Sequence, residues 1–304
     1  MQILQNTNID FLKLRNGAFV ISLVLIIAGV TSLVLKKGPN LGIDFTGGSI
    51  VQVLFDKPQS LDSIRDVLNA EGFESISLQN FTNTNSVLIK IKQSENSSAA
   101  VGDRVQEILA ESFSDNPFVM ERVEFVGPVV GRHLVRKALM AIIFSMVGII
   151  LYVGFRFRSG VWGIAGVVAL LHDVVIVLGL FSILNKEITL TVVAAFLTLA
   201  GYSVNDTIVI FDRIRENIRL MRKDSLEKIM NHSLNGTLSR TVMTSMTTLI
   251  VVLALLIFGG EVIHDFAFGL TAGIIVGTYS SLFIATPLVY IWQTRIEHTG
   301  RKNR

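Results

Sequence analysis

The chain contains no cysteine, which excludes disulfides and any thiolate metal site. Charge is scarce too. Asp, Glu, Lys and Arg make up 17% of its 304 residues, where soluble domains carry about 25%. There is no G-x-x-x-x-G-K-[ST] phosphate loop, and the Gly47-Gly48 pair lacks the lysine that would make it one. An H-E-x-x-H metal helix and a G-x-S-x-G nucleophile elbow are also absent. The sequence therefore offers no catalytic set, no metal site and no cofactor fingerprint. Work done by such a chain must draw on something other than nucleotide hydrolysis. A membrane potential supplies about 2.3 kcal/mol per charge per 100 mV.

What the chain has in quantity is apolar sequence. Half of its residues are hydrophobic and its mean hydropathy is +0.57, the composition of a membrane protein. Its formal charge is only +3; the lipid bilayer is the expected surrounding, and no nucleic acid partner is expected. A spanning helix needs about 20 mostly apolar residues. Runs of that kind occupy residues 18–35, 138–156, 161–184, 188–211, 241–259 and 266–292. The first ends in Leu33-Val34-Leu35-Lys36-Lys37 without a small-x-small cleavage site, so it is read as a retained anchor rather than a signal peptide.

Residues 36–137 are of mixed polarity with ordinary turn signals. Strands are expected at Ser49–Phe55, Phe73–Phe81, Ser86–Ile91 and Phe118–Val126, with a turn at Thr82-Asn83-Thr84-Asn85. Helical spacing appears at Leu61–Ala70 and Ala99–Phe113. That order, β-α-β-β-α-β, is the ferredoxin-like arrangement. The expected fold is a polytopic α-helical membrane protein of six spans with one small α+β domain.

Lys13 and Arg15 in the first 17 residues lie on the same side of six spans as Arg156, Arg158, Arg213, Arg215, Arg219, Arg222 and Lys223. Arg295, Arg301, Lys302 and Arg304 in the 293–304 tail join them. The positive-inside rule makes that side cytoplasmic and puts the α+β domain on the far side. The 212–240 connection carries Ile214, Ile218, Met221, Leu226, Ile229, Met230 and Leu234 among basic residues. It reads as an amphipathic segment on the membrane surface, with Asp224 and Glu227 placed for a variant capping box.

Asp206, beside Asn205, lies six residues before the charged end of its span at Asp212, about 9 Å deeper along a helix. An ionisable side chain there is costly and marks a functional position. Arg240 opens the next span, and Thr244, Thr247 and Thr248 continue it on one face with Thr241 and Ser245 alongside. Those hydroxyls suggest a hydrogen-bonded or wet helix face, or they bond back to their own helix carbonyls. Asp206 and Arg240 look like mates at similar depth. A proton relay and a static ion pair are both open. His172-Asp173, at the middle of the third span, is a second candidate: a further relay pair or a hydrogen-bonded structural histidine. Gly269, Gly273 and Gly277 form a small-xxx-small stripe expected to pack within this chain, as does the looser Gly160, Gly163, Gly166 series.

The stretch Leu41-Gly42-Ile43-Asp44-Phe45-Thr46-Gly47-Gly48 resembles the LGIDFTGG signature of the SecD/SecF protein-export family. Gly201-Tyr202-Ser203-Val204-Asn205-Asp206-Thr207 with Phe211-Asp212-Arg213-Ile214-Arg215-Glu216 resembles its second motif, and Ser239-Arg240-Thr241 with Thr244-Ser245 its third. Length, six spans and one small outer domain are similar to the SecF members rather than the longer SecD members. The resemblance implies a multi-pass protein of the bacterial inner membrane, with the α+β domain periplasmic. Its implied partners are SecD, the SecYEG channel, YajC and YidC, and a translocating preprotein. Proton-motive force is the implied energy source, and Asp206 and Arg240 fall on the implied proton pathway. The signature and outer domain imply substrate handling or conformational coupling without a residue assignment. A small-molecule exporter of the related resistance-nodulation-division superfamily is disfavoured, because such chains carry paired large outer domains. A passive scaffold remains the other alternative.

Overall fold

The computed structural model describes residues 7–73, 76–81, 84–92, 98–157 and 160–302. Thr82 and Asn83 of the expected turn, Arg158, and Arg304 lie outside them. The apolar runs form six helices long enough to cross a membrane. They are α1 (Arg15–Leu35), α5 (Pro128–Phe157), α6 (Gly160–Ile183), α7 (Leu190–Leu220), α8 (Leu226–Phe258) and a final span, Val262–Ile296. That last span is built from α9 (Glu261–Ser280), a π-helical turn (Ser281–Ala285) and α10 (Thr286–Lys302).

Between α1 and α5 lies the outer domain. It comprises α2 (Ile43–Thr46), β1 (Gly48–Phe55), α3 (Leu61–Ala70), β2 (Ile76–Asn80), β3 (Ser86–Lys92), α4 (Ser98–Ser112) and β4 (Phe118–Val126). The four strands are antiparallel in the order β2-β3-β1-β4. Alternation sends Val51, Val53 and Phe55 of β1 and Val87, Ile89 and Ile91 of β3 to one face, where Ile64 and Leu68 of α3 and Val105 and Leu109 of α4 cover them. One face is thus closed by helices and the other turns toward the helical bundle, an α+β layer arrangement.

In the bundle, α6, α7 and the last span bury about half of their apolar windows, whereas α1, α5 and α8 remain mostly exposed. The first three form the inner layer. Gly269, Gly273 and Gly277 face Ala195, Leu199 and Ser203 of α7, so the glycine stripe packs within the chain. At Gly29 and Gly179 the backbones of α1 and α6 meet so closely that a Cβ on either would lie 2.7 Å from the other's Cα.

The 212–240 segment differs from expectation. Rather than a surface connection, it is the helical ends of α7 and α8 with only residues 221–225 between them. Its apolar side chains have a protein partner: Ile214, Met230, Leu234 and Leu238 are buried together with Phe11 and Leu12. Asn217 Nδ2 donates to Ser233 Oγ (2.8 Å) across this pair. The polar N-terminal stretch docks there too, Ile9 N–H donating to Asn235 Oδ1 (2.9 Å) and Asn231 Nδ2 to Asp10 Oδ1 (2.8 Å). The cap of α8 is Ser225, whose Oγ accepts from Lys228 N–H. Asp224, expected in a capping box, pairs with Lys228 Nζ instead (2.6 Å).

Candidate functional site

Two aspartates are buried in the bundle, Asp206 at 5% exposure and Asp173 at 0%. A carboxylate this deep must be hydrogen-bonded or it is very costly. Asp173 is met by hydroxyls of α7 and α9 in the inner layer, Asp206 by one from the more exposed α8.

Asp206 lies on α7 and faces α8 and α9. Ser245 Oγ points to its Oδ2 at 3.4 Å and also contacts Thr278 Oγ1 at 2.7 Å, while Thr278 donates to the Ile274 carbonyl at 2.8 Å. One turn from Ser245, the Thr241 hydroxyl is buried with no hydrogen-bond partner among the described residues. Arg240 is exposed. Its guanidinium is near enough to act electrostatically on Asp206, yet among the described residues the two form no ion pair. Asn205 points outward, as do Thr244 and Thr247, and Thr248 is half-buried. The three threonines donate to carbonyls of their own helix: Thr244 to Arg240, Thr247 to Met243 and Thr248 to Thr244, at 3.0–3.1 Å. Of the two roles open for these hydroxyls, the structure has the local one.

Asp173 is more fully held. Its Oδ2 accepts from Ser203 Oγ of α7 (2.5 Å) and Ser280 Oγ of α9 (2.8 Å), and its Oδ1 contacts His172 Nδ1 (2.9 Å). His172 Nε2 meets Ser22 Oγ of α1 at 2.8 Å, and Ser22 meets Tyr279 Oη at 3.1 Å. Tyr279 donates to the Ala18 carbonyl (2.7 Å). With that direction fixed, Ser22 donates to Tyr279 and His172 Nε2–H to Ser22. The His172–Asp173 contact then carries a proton on either the imidazole or the carboxyl. The π turn adjoins this chain, and Ser281 Oγ contacts Thr207 Oγ1 of α7 (2.8 Å). Such turns inside α-helices recur at functional sites. Ser22, Tyr279 and Ser280 have no signal in the sequence beyond being polar residues in apolar runs, and Ser203 enters only as one position of the Gly201–Thr207 motif; only the packing of four helices brings them to Asp173.

The signature stretch lies at the outer ends of the helices. Leu41 pairs with Ile188 in a short parallel bridge, with Gly42 N–H donating to the Ile188 carbonyl (2.9 Å) and Ile188 N–H to that of Asn40 (2.7 Å). Asp44 Oδ2 accepts from the backbone N–H of Leu190, the first residue of α7, at 2.8 Å. Ile43 and Phe45 are buried. Gly47, at φ 78°, makes the left-handed turn into β1.

Comparison with known proteins places these residues in a family. The model of the SecD/SecF protein-export membrane protein C-terminal region matches residues 101–295, and that of the SecD/SecF GG motif matches residues 32–59. The chain belongs to the SecD/SecF family. Within the family it is similar to the protein translocase subunit SecF of Calditerrivibrio nitroreducens, 47% identical with 96% of each chain covered. The SecF of Vibrio alginolyticus is 44% identical over 95% of this chain and 91% of that one. Among solved structures, SecDF of Thermus thermophilus, a translocon-associated membrane protein, superposes with a TM-score of 0.84 at 36% identity. The match covers 97% of this chain but 40% of that longer one. Family membership and six apolar helices make this a multi-pass membrane protein.

Proposed function

We propose that the chain is the SecF subunit of a protein translocase in the bacterial inner membrane. It pairs with SecD beside the SecYEG channel and uses the proton-motive force to promote movement of an exported chain. YajC and YidC are the accessory neighbours in this reading. The termini and the α7–α8 hairpin are cytoplasmic, and the sheet domain is periplasmic. Arg156, Arg213, Arg215, Arg219 and Arg222 at one end of the bundle support that orientation. No reaction is catalysed; the chain converts an ion gradient into motion.

The observation that carries the proposal is Asp206, a buried carboxylate in a membrane helix with a serine hydroxyl in weak reach and an arginine near it, the two forming no ion pair among the described residues. A carboxylate locked in a close bidentate pair would hold its charge; one with loose partners can exchange a proton. Arg240 then modulates Asp206 through space. His172 and Asp173, held from four sides, act as the polar pivot between helices, and Asn205 and Thr244 as outward polar support.

The test is a set of variants made in one background: Asp206→Asn, Arg240→Met, Arg240→Lys and the double neutral variant. Potential-dependent export should collapse in the first two while abundance and SecD co-purification persist. Arg240→Lys should be milder, since it keeps the charge and loses only the planar fork. A static pair would behave differently: each neutral variant would lose assembly and the double variant would regain it.

A further inference from the structure

Asp44 of the signature stretch is remote from Asp206 in sequence, yet it touches the same helix. Its carboxylate accepts the N–H of Leu190, one of the donors that an α-helix leaves unsatisfied at its N-terminus. A negative charge is favoured there by the helix dipole. From Leu190, α7 runs unbroken to Asp206, about 24 Å at 1.5 Å per residue. Three residues before Leu190, Glu187 is buried at the foot of the outer sheet. Its Oε2 pairs with Lys90 Nζ (2.9 Å) and its Oε1 with Lys92 Nζ (3.6 Å), both from β3. Lys92 also donates to Asn40 Oδ1 (2.8 Å). A cleft of about 250 Å³ opens beside these contacts, lined by Asp44, Lys90 and Glu187.

We infer that Asp44 and the Glu187–Lys90–Lys92 cluster form the joint through which the outer domain and the Asp206 helix move together. Phe45 seats the signature stretch in the bundle core beside Ile188 and Val192, so the signature moves with α7, and the link from there to the sheet is polar: Lys90 and Lys92 on Glu187, and Lys92 on Asn40. Those ion contacts can break and reform singly while the apolar seat of Phe45 keeps the signature on α7. The close fit of the signature supports the same reading. A Cβ on Gly131 of α5 would lie 2.8 Å from the Phe45 carbonyl, so the short helix α2 is wedged between α5 and α7. Asp44 is a positioning residue, acting through α7. This inference rests on the proton-coupled reading above.

The experiment uses the full chain, whose lack of cysteine permits clean spin labelling. Labels at Asp66→Cys on α3 and Phe258→Cys at the outer end of α8, both exposed positions, report domain against bundle. Asp44→Leu keeps the size and removes the acceptor; Asp44→Asn keeps an acceptor oxygen. A cap of this kind shifts a local equilibrium roughly fivefold. In Asp44→Leu the label distances should broaden, and potential-dependent export should fall by a similar factor at unchanged abundance. Asp44→Asn should retain most of both. Glu187→Lys should broaden the distances as well, and adding Lys90→Glu with Lys92→Glu should narrow them again. Unchanged distances in Asp44→Leu and Glu187→Lys overturn the joint. Normal export in Asp206→Asn with broadened distances in Asp44→Leu overturns the proton reading and leaves the joint standing as a mechanical contact. A misfolded Asp44→Leu is recognised by lost abundance, and the Glu187 charge swap then decides alone.

Discussion

Removing the Asp173 carboxylate should loosen the bundle at its centre. In Asp173→Ala two donors lose their acceptor, Ser203 Oγ–H and Ser280 Oγ–H, and His172 Nδ1 loses its partner. They do not lose equally. Ser280 already lies 3.1 Å from the Gly277 carbonyl and can turn to it, so its loss is small. Ser203 and His172 have no comparable alternative in the described contacts. A stranded buried donor or acceptor costs about 1–3 kcal/mol, so the Ser203 and His172 groups together give a loss of about 2–6 kcal/mol before any cavity term. Asp173→Asn keeps the volume, its Oδ1 can accept from both serines and its Nδ2–H can donate to a neutral His172 Nδ1, so a smaller loss than in Asp173→Ala is expected. Adding Ser203→Ala to Asp173→Ala should cost less than the sum of the two, because the hydroxyl is already unpaired. Equilibrium unfolding of the detergent- or nanodisc-embedded chain measures all three. An Asp173→Ala loss below about 1 kcal/mol, or strict additivity with Ser203→Ala, would refute the network.

Gly179→Ala should push α1 from α6, since the new methyl would meet Gly29 Cα at 2.7 Å. Overpacking of this kind costs about 1–3 kcal/mol, and thermal unfolding should drop accordingly. A fragment covering residues 40–126 should fold alone, because its twelve buried core positions come from its own strands and helices. In it Leu68→Ala, at 0% exposure, should cost about 2–5 kcal/mol by chemical denaturation. Reporter fusions at Gly72 should read out as periplasmic and those at Arg222 as cytoplasmic; the reverse pattern would contradict the orientation drawn from the basic loops.

The outer domain was legible because its signals are local. Val51, Val53 and Phe55 alternate and Ile64 and Leu68 are four apart, so period alone separates strand from helix. The bundle's centre was legible from hydropathy, but its inner helix ends were not. Ile214, Met230 and Leu234 lie among charges that break the apolar run, and an amphipathic stripe does not say whether lipid or another helix will cover it. Asp206 stood out because a charge in an apolar span is costly wherever it faces. Its relation to Arg240 was not readable, since the rotation of each helix about its axis depends on packing. The threonines after Arg240 show the same limit: spacing allows two uses for their hydroxyls, and in the folded chain they bond to their own helix carbonyls. Asp44 and Glu187 reach partners through tertiary contacts alone, Asp44 across 146 residues.

The central claim is that Asp206 carries the proton that drives the motion. Potential-dependent export of a precursor in membrane vesicles, with abundance-matched wild-type chain and Asp206→Asn, tests it most directly. The account predicts that imposing a proton gradient accelerates export with the wild-type chain and has no effect with Asp206→Asn. Equal acceleration in both would contradict it.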